Sequence, residues 1–470
     1  MKVAVVGGGI SGLSAAFELE KARAERPDLE YVLLEKSNRL GGSIYSERID
    51  GCMVEGGPDS FMTEKPAAAK LCAELGIADH LVGSNDSSRK TYILLKNRLV
   101  SLPDGLMFMV PTKLVPTALS PLFSWKTKIR MGLELLKPPR PMESDESVAE
   151  LVERHFGAEV VDRLADPLLS GIYGGDAAVL SARTVLPRLV EMEEKYGSLS
   201  RGMLAAHAQG KKAPMPTNGN GRAARSLFSS LENGMQEMVS GIEARLDPAS
   251  IRKSTTVSAI HHAFDGWNLV VDGVTQHFHA VLLATPAWVS GALLADLDAQ
   301  LGKDLADIPY SSSITVTMGY VESDLGDLPD GFGFLVPASE KRNMLACTFV
   351  HRKFPGRAPA GIGLLRCFLG GVRNAALLSE TDEQIESRVK AELKEILGVT
   401  GTPRFVRIHR WRRAMAQYAV GHAARIERIA AAVRQQSGLA LAGNAYLGIG
   451  VPDCIRAGQA AAASILGLQS

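Results

Sequence analysis

Val3-Ala4-Val5-Val6-Gly7-Gly8-Gly9-Ile10-Ser11-Gly12 decides the fold. Four short apolar residues read as a buried strand, the glycines make a G-x-G-x-x-G turn, and residues 10–24 continue as a helix. Tyr31-Val32-Leu33-Leu34 supplies a second buried strand, and Glu35 stands at its end, 23 residues past Gly12. This is one βαβ unit of dinucleotide-binding type. With no side chains in the way, the backbone of Gly7, Gly8, Gly9, Ile10, Ser11 and Gly12 can approach a pyrophosphate at the positive end of the helix. The Glu35 carboxylate can accept both hydroxyls of an adenosine ribose.

Outside this unit the composition is ordinary. The 470 residues are 46% hydrophobic and 22% charged, which excludes a disordered, collagenous or coiled-coil chain. Lys and Arg number 52 against 51 acids, so the net charge of +1 gives no global attraction to nucleic acid. No apolar run reaches the roughly 18–20 residues of a membrane span, and the N-terminus enters the glycine turn without a signal-peptide core. The expectation is a cytoplasmic protein. Cys52, Cys72, Cys347, Cys367 and Cys454 are scattered and odd in number, with no C-x-x-C, so neither a disulfide framework nor a metal site is expected.

Residues 89–140 change character. They hold ten Lys/Arg against two acids, a local net of +8, among hydrophobics such as Leu102, Leu106, Leu119, Leu122 and Trp125. Such a segment can face substrate or lie at the surface of a membrane. Helices are expected at 147–156 and 159–169, and a Gly-, Pro- and Asn-rich linker at 210–225. Strand signals return at 270–273, 280–287 and 314–320, and three more strands beginning at Phe332, Met344 and Leu364 are read as one antiparallel sheet. A helix is expected at 383–397, then a strand, a glycine-rich turn and a last helix opening near Pro452 or Asp453.

Further motifs narrow the chemistry. Arg39-Leu40-Gly41-Gly42 follows Glu35, with Ser43 next; Glu55-Gly56-Gly57-Pro58-Asp59-Ser60-Phe61 comes soon after. LLSGIYGGD spans 168–176, GFGFLVP spans 331–337, Arg410-Trp411 stands later, and Gly443-Asn444-Ala445-Tyr446-Leu447-Gly448-Ile449-Gly450-Val451-Pro452-Asp453-Cys454-Ile455 closes the series. Across practically the whole chain this set resembles the oxygen-dependent porphyrinogen oxidases within the FAD-dependent amine oxidase superfamily. The resemblance implies an α/β protein: a discontinuous Rossmann-like FAD domain built from 1–88, 225–290 and 405–470, a helical basic and apolar subdomain at 89–210, and a substrate sheet at 291–404. It implies FAD contacts from the first turn, Glu35, Lys36, Arg39, Gly42, Ser43, Gly57, Pro58, Asp59, Ser60, Val257 and Trp411. The amides of Ile449, Gly450 and Val451, at a helix N-terminus, would stabilise negative charge on the flavin pyrimidine. Lys65, Tyr173, Phe332 and Met344 would line the substrate pocket.

The reaction so implied is the six-electron oxidation of a porphyrinogen, three oxygens becoming three peroxides, with no catalytic acid or base demanded by the motifs. Coproporphyrinogen III, with four propionates, needs more cations than protoporphyrinogen IX, with two. Thr91 stands where the plant and animal enzymes tend to carry arginine, and with Lys65, VPTK at 110–113 and VPDC at 451–454 this resembles the soluble coproporphyrinogen oxidases of Gram-positive type bacteria. Protoporphyrinogen IX is the alternative substrate. A flavin oxidoreductase of amines or carotenoids and a non-catalytic binding module on the same scaffold are the more distant alternatives. The partners implied are the porphyrinogen, oxygen and, transiently, a ferrochelatase, with at most peripheral contact with a membrane.

Overall fold

The structure, a computed structural model, describes residues 1–107, 109–141, 143–210 and 226–468. The linker expected at 210–225 therefore falls almost wholly outside the described residues.

A five-stranded parallel sheet carries the first motif. Its order is Ile251–Arg252, Glu30–Leu34, Lys2–Val6, Ala280–Leu283 and Leu439–Leu441. Three distant stretches of chain are thus needed for one sheet. Val3 and Val5 enter one core and Ala4 and Val6 another, because both faces are covered. That is why this strand reads as an unbroken apolar run. Helices Ile10–Arg23 and Val451–Ile465 cover one face and touch closely: a Cβ on Gly458 would fall 2.0 Å from the Ser11 carbonyl.

A seven-stranded sheet forms the second layer, in the order Phe405–Ala416, Tyr310–Val321, Ile362–Gly370, Met344–Phe349, Gly333–Leu335, Thr91–Leu95 and Arg98–Ser101. It differs from the expectation in two ways. The sheet is mixed rather than purely antiparallel, since Gly333–Leu335 pairs parallel with Thr91–Leu95. It also recruits 91–101 from the block read as helical and 405–416 from the stretch read as the C-terminal part of the dinucleotide domain. The hairpin at 95–98 turns on Lys96 and Asn97 at φ 49° and 59°, a conformation that Gly signals plainly and Lys does not. In the long strand, Arg407, Arg410, Arg412 and Arg413 mask the apolar alternation.

Cross-strand partners share a face. One face of this sheet, with Ile314, Val316, Phe334, Met344, Cys347, Cys367 and Leu369, packs with residues of helix Asp382–Leu397. The opposite face carries Ser313, Thr315, Thr317, Leu335, Ala346, Thr348, Arg366, Phe368, His409 and Trp411. It looks toward the glycine turns.

The remaining helices, including Trp125–Glu134, Val148–Phe156, Asp166–Tyr173 and Pro187–Tyr196, surround their own core. A capping box, Ser147 with Glu150, starts the second of them. The helix expected at 159–169 exists, but Val161–Ala165 winds as a π-turn within it. Among the described residues no helix is long and apolar enough to cross a membrane.

Candidate cofactor and substrate site

The first turn is held from below. A Cβ on Gly12 would meet the Gly7 carbonyl at 1.9 Å, so the helix can begin this close to the strand only with glycine. The Gly8 amide donates to Glu35 Oε2 at 2.6 Å, while the Ser37 amide and hydroxyl donate to Oε1 at 2.7 and 2.8 Å. Glu35 is thereby fixed at the lip of the turn, beside exposed Lys36. The Thr255 amide donates to the Glu35 carbonyl at 2.9 Å, which brings the strand beginning at half-buried Val257 to the same edge.

The second motif docks on the first. The Gly41 amide donates to the Gly8 carbonyl at 2.8 Å, and a Cβ on Gly42, at φ +59°, would lie 3.1 Å from Gly9 Cα. Arg39 spends its guanidinium here: it donates to the carbonyls of Gly42 at 2.5 Å and Ile44 at 3.0 Å and lies 5.2 Å from the Tyr45 ring centre. It shapes this turn in addition to any charge it offers a phosphate. Next, a Cβ on Gly57 would sit 1.7 Å from the Ser43 carbonyl, so the turn at Gly57, Pro58, Asp59 and Ser60 presses directly on that at Ser43.

The C-terminal turn completes the ring. Gly450 precedes helix Val451–Ile465 without capping it by a side chain, so the amides of its first turn stay available to a ligand. The Gly448 amide donates to the Tyr418 hydroxyl, which donates to the Asn444 carbonyl, both at 2.8 Å. Ile449 and Gly450 are thus presented by a braced loop. Amide-lined turns stripped of side chains, a carboxylate at the strand end and an uncapped helix fit the pyrophosphate, ribose and ring of a flavin dinucleotide.

The sheet face that carries Thr315 and Trp411 meets these turns at Gly56. Its carbonyl accepts from Thr315 Oγ1 and Trp411 Nε1, each at 2.8 Å, and from Arg366 Nη2 at 3.5 Å; Arg366 also donates to the Gly57 carbonyl. Burial pushes the pKa of Asp59 up, but Lys353 at 3.0 Å and Arg366 at 3.8 Å, with Ser60, outweigh it and hold the carboxyl well below the ordinary range. Burial keeps His409, stacked with Trp411, below the usual imidazole value and pushes the Tyr173 hydroxyl up to about 12. Near neutrality both are uncharged.

Three pocket assignments change or weaken. Met344 points to the opposite face, 1% exposed among Phe334, Cys347 and Leu369, because a bulge between Met344 and Ala346 shifts its register. Lys65 is tied to Asp453 Oδ2 at 2.6 Å, so much of its charge is spent on the C-terminal helix. Phe332 is buried just before its strand and is tied into the fold by its backbone, donating to the Lys90 carbonyl and accepting from the Phe349 amide. Tyr173 does approach the C-terminal loop, edge-on to Tyr418 with ring centres 6.1 Å apart. Arg366, Phe368, Thr315 and His409, which the structure brings to the same face, were not singled out from the sequence. A lone arginine inside the apolar run LLRCFLG was the available signal, since a buried charge requires a partner.

The sequence pattern of the flavin containing amine oxidoreductases matches residues 10–466, and the chain belongs to that family. It is an FAD-dependent oxidoreductase. A coproporphyrinogen III oxidase of Bacillus subtilis strain 168 is 33% identical over 99% of this chain and 97% of its own length. A chloroplastic protoporphyrinogen oxidase 1 of Spinacia oleracea is 29% identical over 98% of this chain and 83% of its own. A solved structure from Exiguobacterium sp. 255-15, provisionally described as a protoporphyrinogen oxidase, superimposes with a TM-score of 0.87 at 33% identity, covering 99% of this chain and 98% of that one.

Proposed function

We propose that the chain oxidises coproporphyrinogen III to coproporphyrin III in haem biosynthesis, removing six electrons and passing them to oxygen with peroxide as product. The observation that carries this reading is the near end-to-end match to the Bacillus coproporphyrinogen III oxidase. It is joined by a flat sheet face, with Trp411, Phe368 and Leu335, set against the cofactor turns. FAD, when bound, accepts two electrons per cycle. The chain supplies orientation: the turns at 7–12, 39–43 and 56–60, with Glu35, Val257 and the amides of 449–451, hold the cofactor, and the sheet face excludes water on the other side. Neutral Tyr173 and His409 add no charge to this face, and on this reading the chemistry relies on positioning. We read residues 1–88, 225–290 and 405–470 as contributing to the FAD domain, although the strand Phe405–Ala416 serves the substrate sheet.

The protein works in the cytoplasm on this reading, handing its product to a ferrochelatase. A peripheral contact with a membrane is favoured by one observation. Val115, Leu119, Trp125, Ile129, Leu133 and Leu136 are each 60–79% exposed and, within Trp125–Glu134 and just beyond, recur at helical spacing.

The deciding experiment follows porphyrin fluorescence and oxygen uptake with purified holoenzyme on coproporphyrinogen III and protoporphyrinogen IX separately, corrected for spontaneous oxidation. A markedly higher kcat/KM on coproporphyrinogen III is expected. Preference for protoporphyrinogen IX refutes the substrate assignment, and inactivity on both refutes the reaction.

A further inference from the structure

Beneath the Gly56-Gly57 turn lies an ion cluster whose three cations and Glu55 have no part in the proposed reaction. Glu55 and Asp59 face Arg357, Arg366 and Lys353, and the five side chains are between 3% and 18% exposed. Three cations against two carboxylates leave an excess positive charge inside the protein. Burial pushes the Glu55 pKa up, and Arg357 at 3.5 Å opposes that shift. Arg366 Nε is buried without a partner among the described residues. A purely structural ion network gains by closing its charges and satisfying its donors. This one leaves one positive charge and the Arg366 Nε donor unanswered.

The direction of the excess is specific. Arg366 sits on the substrate face, opposite Thr317 and Thr348, and reaches past the sheet to the carbonyls of Gly56 and Gly57. Trp411 and Thr315 donate to the same Gly56 carbonyl. Three donors thus converge on the Gly56 carbonyl, and of these only Arg366 carries a charge. In an enclosed site such a charge is screened far less than in water.

We propose that Arg366, acting through the Gly56-Gly57 turn and balanced by Asp59, is a positioning residue that stabilises the reduced, more negative flavin and so raises the reduction potential of the cofactor. This rests on FAD seating against that turn. With its side chain only 4% exposed, Arg366 acts on this proposal through the turn. Asp59 tempers the effect by neutralising part of the charge, and Lys353 keeps Asp59 ionised.

The test is the midpoint potential of the FAD holoenzyme, measured by slow reductive titration against a reference dye, in wild type, Arg366→Met, Arg366→Lys and Asp59→Asn. Arg366→Met is expected to weaken stabilisation of the reduced cofactor at least tenfold, which is about 30 mV lower for a two-electron couple. Arg366→Lys should restore most of that loss, and Asp59→Asn should move the potential upward. In Arg366→Met, kcat should fall more than KM rises. A potential unchanged in both Arg366→Met and Asp59→Asn overturns the proposal, as does a KM increase with an unchanged potential, which would make Arg366 a partner of a substrate carboxylate. If Arg366→Met does not fold, Asp59→Asn decides by the sign of its shift. The visible bands of bound flavin separate the two premises: moved bands with an unchanged potential overturn the charge role alone, whereas unmoved bands and potential overturn the seating as well.

Discussion

Replacing Gly57 by alanine should empty the cofactor site while leaving most of the protein folded. The new Cβ would stand 1.7 Å from the Ser43 carbonyl oxygen, 1.3 Å inside the 3.0 Å that real Cβ contacts respect. Neither side can yield cheaply. The Ser43 turn is pinned by Arg39 through Gly42 and Ile44, and the Gly57 turn by Arg366, Thr315 and Trp411. Overpacking of this kind costs roughly 1–3 kcal/mol. If about 3 kcal/mol falls on the cofactor-binding conformation, FAD affinity drops roughly 100-fold, at 1.4 kcal/mol per decade. The assay is the flavin-to-protein absorbance ratio after gel filtration, followed by FAD titration of the apoprotein. Gly132→Ala is the control: nothing lies within 4 Å of its added Cβ in helix Trp125–Glu134, and alanine there should stabilise by up to about 1 kcal/mol. A Gly57→Ala protein that retains stoichiometric FAD with a Kd within threefold of wild type refutes the steric argument.

His155, fully buried between Glu134 at 2.9 Å and Glu193 at 3.0 Å, knits three helices together; His155→Ala should cost about 3–5 kcal/mol in urea unfolding near neutral pH, and a loss below 1 kcal/mol would contradict this. Burial pushes both carboxyls up, but His155 and their other partners outweigh it, so Glu134 is lowered and Glu193 falls to about 2. Depressed folded-state values mean that their stabilisation is full above the ordinary glutamate pKa and is lost as pH falls from about 4 toward 2, a window to be followed by circular dichroism of wild type against Glu193→Gln. Trp125→Ser with Leu133→Ser should leave the potential and kcat unchanged while reducing sedimentation with vesicles containing anionic lipid; equal sedimentation of variant and wild type would remove the membrane reading. Lys65→Met, which leaves buried Asp453 only the exposed Arg456 at 3.3 Å, should perturb FAD binding more than KM for porphyrinogen, and the reverse split would restore Lys65 to the substrate.

The geometry of the glycine turns was legible because its constraints are local. Gly12 and Glu35 follow from the geometry of one βαβ unit, and the turns at Arg39 and Gly57 follow in chain order. The sheet face opposite these turns depends on pairings across hundreds of residues. Trp411 reaches Gly56, 355 positions away, and Arg366 reaches the same turn from 310 positions. Nothing in LLRCFLG states which neighbour will answer its arginine. Met344 was misplaced for a smaller reason: one bulged residue reverses which side of a sheet a side chain takes, and a bulge leaves little trace in an apolar run.

The parallel sheet that holds the first turn also sets an order on synthesis. Its central strand, Lys2–Val6, is made well before its neighbour Ala280–Leu283, and the edge strand Leu439–Leu441 comes later still. A nascent chain thus exposes apolar Val3, Val5 and Leu33 without their final cover until helix Val451–Ile465 has been made. The parallel sheet consequently closes only when its last strand and the C-terminal helix have been added.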